Sequence, residues 1–247
     1  MAEAPATILF VGDVVGGIGR RTLLGLLPTL RERHDPTFVV VNGENSAGGL
    51  GITPKIADEL FAAGVDVITL GNHTYHRREI IRYLDTHREI LRPANYLRSQ
   101  PGHGSCIVER DGLRLGVVNL SGNVFLNAGR AAFPEADAAL HELRDKVDHV
   151  LVDFHAEATS EKVAMGWHLD GRVLPGGTAY ITDVGMTGPR GGVIGVDREQ
   201  AVRGFVTHMR EPFETSDDDP WLMGVLIRAT QPQRADAIEQ LLLPAAR

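Results

Sequence analysis

Apolar residues along this chain come in two rhythms. Short apolar runs, Ile8 to Val11, Phe38 to Val41 and the run inside "VDVITLGNH", each give way to a polar cluster and then to apolar positions at helical spacing. The first helical pattern falls around Arg20 to Arg33, with leucines at 23, 24, 27 and 30. A second starts at Thr53-Pro54, a side-chain cap with proline at the first helical position; it buries Ile56, Leu60 and Phe61 and closes at Gly64. "RREIIRYLD" is the third. Strands alternating with helices in this way predict βαβ units and a parallel sheet.

After Arg92 the pattern changes. "CIVERDGLRLGVVNL" reads as a hairpin turning at Asp111-Gly112, which brings in antiparallel strands. A helical stretch around Glu135 to Lys146 leads to a buried strand, "HVLVDFH", and Thr159 or Ser160 caps a helix running to about Trp167. "TAYITDVGM" and "PWLMGVLIRAT" read as two further strands, and "SDDDP" as an acidic surface turn. The expectation is one α/β domain over residues 1–247, with a mixed sheet or two sheets packed together.

Composition narrows the function classes. A formal charge of −7 argues against binding duplex nucleic acid, which needs a basic face to release counterions. The single cysteine, Cys106, excludes an intrachain disulfide and a thiolate metal cage, and reads as a small buried apolar residue. "MAEAPAT" shows no signal-peptide pattern, and no apolar run approaches the roughly 20 residues of a membrane span, so a cytoplasmic protein without a membrane partner is expected.

The stretch "ILFVGDVVGGIGR" raises the question of a phosphate-cradling loop. A dinucleotide fingerprint fails at Thr22, where its third glycine belongs, and a P-loop fails because Gly17 precedes Ile18 instead of lysine. The strand ends are more informative. The first delivers Asp13, the second Glu44-Asn45, the third Asn72-His73 and the later buried one His155. Singly, each is more often a turn former or a hydrogen-bonded structural residue. Together, at the carboxyl edge where open α/β sheets bind ligands, they favour a metal site. Carboxylate, amide oxygen and imidazole suit iron, manganese or zinc better than calcium. Glu44 is the natural bridge between two cations, and His73, near the metals but not on them, is placed to protonate a leaving alkoxide.

"GDVVG", "NGENSAGGLGIT", "TLGNHTYHRREI", "RPANY", "DFHAEATSEKVAMGW" and "GTAYITDVGMTGP", in this order from about Ile8 to Asp197, resemble the YmdB-type bacterial branch of the calcineurin-like metallophosphoesterases. The resemblance implies a β-sandwich of mixed sheets flanked by helices, in four layers αββα. It implies two transition-metal ions, iron first and manganese or zinc as alternatives. The implied activity is hydrolysis of phosphodiesters, 2′,3′-cyclic nucleotides or else 3′,5′-cyclic AMP, by a hydroxide that the metal pair activates. Asp13 would then bind the first metal with Asn45 beside it, Glu44 would bridge, Asn72 and His155 would bind the second, and His73 falls on the proton-donor position. Self-association stays open.

One departure matters. The family carries a Gly-x-His-x-His segment that gives one histidine to each metal, whereas here Arg172-Val173-Leu174 joins the flanking blocks directly. His168 lies nearby in a helical pattern and reads as a surface or packing residue. Either the chain is an impaired variant or a stretch of the natural protein is missing from it, and the intact flanks favour the second. Among the remaining residues, Tyr75 and His76 read as exposed loop positions, Trp167 as core, and Asp183 equally as a ligand-orienting group or a turn cap. The glycines from 185 to 195 suggest a close-approach loop or tight turns. The competing function is a nucleotide-binding protein that keeps the pocket without turnover. A nucleotide-dependent oxidoreductase rests only on the first glycines, and a protein phosphatase would need a broader cleft.

Overall fold

The computed structural model describes residues 5–170, 176–209, 212 and 214–245. Its strands are β1 (Ala6–Val11), β2 (Asp13–Val14), β3 (Phe38–Asn42), β4 (Val67–Thr69), β5 (Ile90–Leu91), β6 (Ser105–Arg110), β7 (Leu113–Ser121), β8 (His149–His155), β9 (Met186–Pro189), β10 (Pro220–Ala229) and β11 (Ala237–Pro244). Its helices are α1 (Gly16–His34), α2 (Pro54–Ala62), α3 (Ile80–Thr86), α4 (Ala132–Leu143), α5 (Thr159–Leu169) and α6 (Arg198–Thr207).

These form two sheets. The larger runs β2-β9-β10-β1-β3-β4-β5, with β11 also on β10; the smaller runs β6-β7-β8. Strands β1, β3, β4 and β5 are mutually parallel, the product of the predicted βαβ units, whereas β10 is antiparallel to β1. β1 and β3 are apolar at nearly every position because both faces are covered. Leu9, Val11, Val39 and Val41 pack outward on Leu23, Leu27, Leu60 and Leu84 of the helices. Ile8, Phe10 and Val40 pack inward on Leu115 and Val117 of the second sheet. A third cluster, with Val118, Leu120, Leu140, Leu143 and Met165, seals α4 and α5 onto that sheet's outer face. Helix, sheet, sheet, helix is the four-layer sandwich expected.

The Asp111-Gly112 hairpin is present as β6–β7, and Thr53 caps α2 by accepting from the Ile56 N–H at 3.3 Å. Helix α1 begins four residues before the predicted start, because glycines 16, 17 and 19 fill its first turn where the apolar pattern has not yet begun. Four expectations fail. The cap of α5 is Ala158, with no side-chain bond, instead of Thr159 or Ser160. Ile56 and Phe61 are only half-buried against the core, and Ala57 joins Leu60 on the buried face of α2. Trp167 is 74% exposed, with no described residue covering it. Most of "TAYITDVGM" is not strand: residues 178–185 have no ladder partner among the described residues, and pairing begins at Met186. The short β5, the exposed α6 and the edge strand β11 have no clear signal in the apolar pattern.

Backbone packing places the edge that carries the site. At Gly12 an added Cβ would collide with the Gly185 carbonyl, so the β1–β2 turn meets the residue leading into β9 at a distance that only glycine allows. Gly25, inside α1, has open space around it. Gly12→Ala is therefore expected to lower unfolding stability by about 1–3 kcal/mol in urea titration. Gly25→Ala is expected to raise it by about 0.5–1 kcal/mol, as helix propensity dictates. Equal effects would contradict the close approach.

Candidate active site

All six residues singled out from the strand ends meet at one edge of the sandwich. Asp13 sits in β2, Glu44 and Asn45 follow β3, Asn72 and His73 follow β4, and His155 ends β8. The Asn45 Nδ2 donates to Asp13 Oδ2 at 2.8 Å and to Glu44 Oε1 at 3.3 Å, while its Oδ1 meets His73 Nδ1 at 2.8 Å. His155 Nε2 lies 2.7 Å from Asn72 Oδ1 and 3.2 Å from Glu44 Oε1. The His73 backbone N–H donates to Glu44 Oε2 at 3.1 Å. Gly71 is what lets these groups converge, since a Cβ there would strike Glu44 Oε2 and the His155 ring.

Electrostatics single out the two carboxylates. Burial pushes Asp13 up to about 7, and the neighbouring Glu44 charge adds to it. Burial likewise raises Glu44 to about 7; the His73 N–H works against that rise and the Asp153 charge adds to it. Two buried acids side by side want protons or a cation. Asp13 Oδ1 is buried without a hydrogen-bond partner, and the Asn45 amide nitrogen occupies the space between Asp13 Oδ2 and Glu44 Oε1. Glu44 Oε1 belongs to two groups of donors: Asp13 with Asn45 on one side, Asn72 with His155 on the other. The residues present thus fit a pair of bridged cations, with Asn45 turning its amide to offer oxygen. Among the described residues no three His, Cys, Asp or Glu side chains hold a metal by themselves, so the amides are necessary members and the set is sparse.

The opening glycines do not cradle phosphate. Several backbone N–H groups of this stretch are engaged inside the protein, Gly12 on Met223 O, Val15 on Thr187 O, Gly16 on Asn45 O and Gly19 on Val15 O, each within 3.0 Å. The loop after β3 is pinned by Arg77, whose guanidinium donates to Ala47 O at 2.7 Å and Leu50 O at 3.0 Å, and by Arg20 on Ser46 O. Burial, with His155 and His76 nearby, lowers the His73 pKa, so its ring rests neutral at pH 7.

The secondary candidates sort themselves. Tyr75 is half-buried and donates to Pro101 O at 2.7 Å, whereas His76 lies in the loop beside His73, ring edge to ring face. Asp183 caps a turn by accepting from the Gly185 N–H at 2.9 Å and faces Lys162. His168 pairs with Asp137 at 2.7 Å and packs edge-on against Phe133, a packing residue as expected. Cys106 is half-buried on β6 with its thiol pushed up to about 12, so it is no nucleophile. Arg172 to Leu174 lie outside the described residues.

Sequence reasoning missed Asp153. It stands on β8 two residues before His155, touches the internal cavity, and accepts from Thr69 Oγ1 at 2.5 Å and Asn42 Nδ2 at 3.2 Å. The available signal was an acid inside an otherwise apolar strand, in phase with His155. That cavity, about 550 Å³, lies between the sheets and is lined by Phe10, Val152, Phe154, Ile181 and Ile227, with Asp13 and His155 at its rim.

A two-sheet sandwich with helices outside and an acid, amide and imidazole cluster at its strand ends is a metallophosphoesterase-type fold. The chain matches the YmdB-like protein family model over residues 9–241 and belongs to that family. It is 41% identical over 254 positions to the 2′,3′-cyclic-nucleotide 2′-phosphodiesterase of Bacillus subtilis (strain 168), covering 96% of each chain. That alignment is longer than the 247-residue chain, so the relative carries residues with no counterpart here. A structure from Thermus thermophilus, described as a hypothetical protein, superposes with TM-score 0.90 at 33% identity, covering 97% of this chain and 100% of that one. A Mycoplasma pneumoniae structure described as a novel phosphatase gives 0.89 at 32% identity, covering 98% and 95%.

The raised carboxylates set a pH dependence for the chelator-treated protein. Relative to the unfolded chain, the protonated acids favour the fold fully below the free-carboxyl value of about 4, and that contribution is lost as pH rises through the folded value of about 7. Thermal unfolding should therefore give a lower midpoint at pH 8 than at pH 5, and added Mn²⁺ should restore it at pH 8. A midpoint that rises toward pH 8 without metal would show that the acids are not crowded.

Proposed function

We propose that this protein is a metal-dependent phosphodiesterase acting on small cyclic nucleotides, with 2′,3′-cyclic nucleotides as substrates before 3′,5′-cyclic AMP, and that the chain works as one domain. The observation that carries the reading is Glu44 Oε1, shared between the Asp13–Asn45 and Asn72–His155 groups. The 41% identity to a phosphodiesterase supports the reaction class.

Asp13 and Asn45 would hold one cation, Asn72 and His155 the other, and Glu44 both; iron fits this mixed donor set, as do manganese and zinc. Bound there, the cations would activate water and offset charge on the phosphoryl oxygens. The chain's own work is orientation and proton transfer. Water adds to phosphorus, one ribose–phosphate ester bond breaks, and the leaving ribose oxygen takes up a proton to give the phosphomonoester. His73 supplies that proton. With Asn45 turned to offer its oxygen to a cation, its Nδ2 would face His73 Nδ1; Nδ1 then accepts, the ring proton sits on Nε2, and a ring of lowered proton affinity gives it up readily.

The donor set would be completed by a strand between Arg172 and Leu174 bearing the Gly-x-His-x-His pattern. Several observations support its having a place. Among the described residues β8 pairs only with β7, residues 178–185 run beside the cavity without a ladder, and the 254-position alignment exceeds this chain's length. A chain bearing such a segment is expected to retain about two manganese ions per molecule after desalting, against fewer in the chain as it stands. Equal retention would mean that the segment does not bind metal.

Hydrolysis of 2′,3′-cyclic AMP with Mn²⁺ or Fe²⁺, abolished by chelator, is the expected activity. His73→Ala should lower kcat by about 10²–10⁴-fold, the usual scale of general acid–base assistance. Tight nucleotide binding by calorimetry without turnover under any metal would instead favour a nucleotide-binding protein that has kept the fold, a reading that the sparse donor set motivates.

A further inference from the structure

We infer that Asp153 is a positioning residue: its carboxylate locks the strand that carries His155 onto the two strands that carry Glu44 and Asn72, and so sets the spacing of the two donor groups. The inference rests on the metal-site reading above for its catalytic consequence, but its geometry stands without it.

Asp153 and His155 are two apart on β8 and share a face. Across the sandwich, Asn42 and Thr69 are register partners at the ends of β3 and β4. Asp153 Oδ2 accepts from both, at 3.2 Å from Asn42 Nδ2 and 2.5 Å from Thr69 Oγ1. Asn42 then passes the constraint on, since its Oδ1 accepts the Glu44 backbone N–H at 3.3 Å. Gly43 N–H donates to Thr69 O at 2.9 Å and closes the same corner. One carboxylate thereby ties the two sheets together directly beneath the site. Among the described residues β8 has one ladder, to β7, and its inward face packs Leu151 on the inter-sheet core but borders a cavity of about 550 Å³ around Asp153. Apolar packing in that region cannot fix the position of His155 to a fraction of an ångström. A buried carboxyl oxygen that accepts from two directional donors can.

The experiment compares wild type with Asp153→Asn and with Thr69→Val, which removes one donor and keeps the acid. Mn²⁺ binding to the chelator-treated protein is followed by calorimetry, and the His155 ring by NMR in the metal-free protein. Asp153→Asn is expected to weaken Mn²⁺ binding by about 10–100-fold and Thr69→Val by less, the scale on which groups behind a ligand act. The His155 ring signal should shift and broaden in Asp153→Asn while the thermal midpoint stays within a few degrees. A His155 signal unchanged in a folded Asp153→Asn protein overturns the inference, and so does a lowered midpoint with unaltered Mn²⁺ affinity in the folded fraction. If wild type binds no Mn²⁺ but the His155 signal still moves in the variant, the positioning holds and the metal-site reading fails.

Discussion

Two carboxylates with nowhere to put their charge organise this molecule. Asp13 and Glu44 come from different strands, are buried close to each other, and are bridged by the amide nitrogen of Asn45. Desolvation makes that arrangement costly without a counterion, and the large apolar core that β1 and β3 bury against the helices offsets it. Everything nearby serves the convergence. Gly12 lets the first turn lie against the residue leading into β9, Gly71 leaves room for the His155 ring, and the N–H of His73 supports Glu44. A cluster that costs stability and is nevertheless built from four strand ends is a candidate functional site, and the proposed cations would relieve that cost.

The parallel half of the fold was legible because its signals are local. β1 and β3 are continuous apolar runs, α2 announces itself by Thr53-Pro54, and the Asp111-Gly112 hairpin carries its own turn chemistry. What was not legible depends on partners far away in sequence. "TAYITDV" has the composition of a strand, but a strand exists only where a neighbour accepts its hydrogen bonds, and no described strand lies beside it. Trp167 has the character of a core residue but lies on a face of α5 that no described residue covers. α6 has no buried residue at all, so its apolar positions gave no reliable pattern.

The convergence of the six side chains was more legible than the fold around them. Carboxylate, amide and imidazole side chains at successive strand ends must share one edge if the sheet is parallel, and that inference needs only strand order. The structure adds what spacing alone could not show: which oxygen of Glu44 is shared, how Asn45 faces its neighbours, and that the amides of Gly12, Gly16 and Gly19 are already used. Asp153 escaped because an acid inside an apolar strand reads as a misfit until its partners, Asn42 and Thr69, are seen across the sandwich. His73 shows the converse. Its position named it as a proton carrier, and its environment adds that it rests neutral.

The central claim is that Glu44 joins two cation positions into one site. Electron paramagnetic resonance of the chelator-treated protein, titrated with two equivalents of Mn²⁺, tests it most directly. Two ions sharing one carboxylate oxygen are magnetically coupled, so the account predicts a multiline exchange-coupled signal in wild type that Glu44→Gln abolishes. A simple six-line spectrum from isolated Mn²⁺ in wild type, unchanged by that substitution, would contradict it.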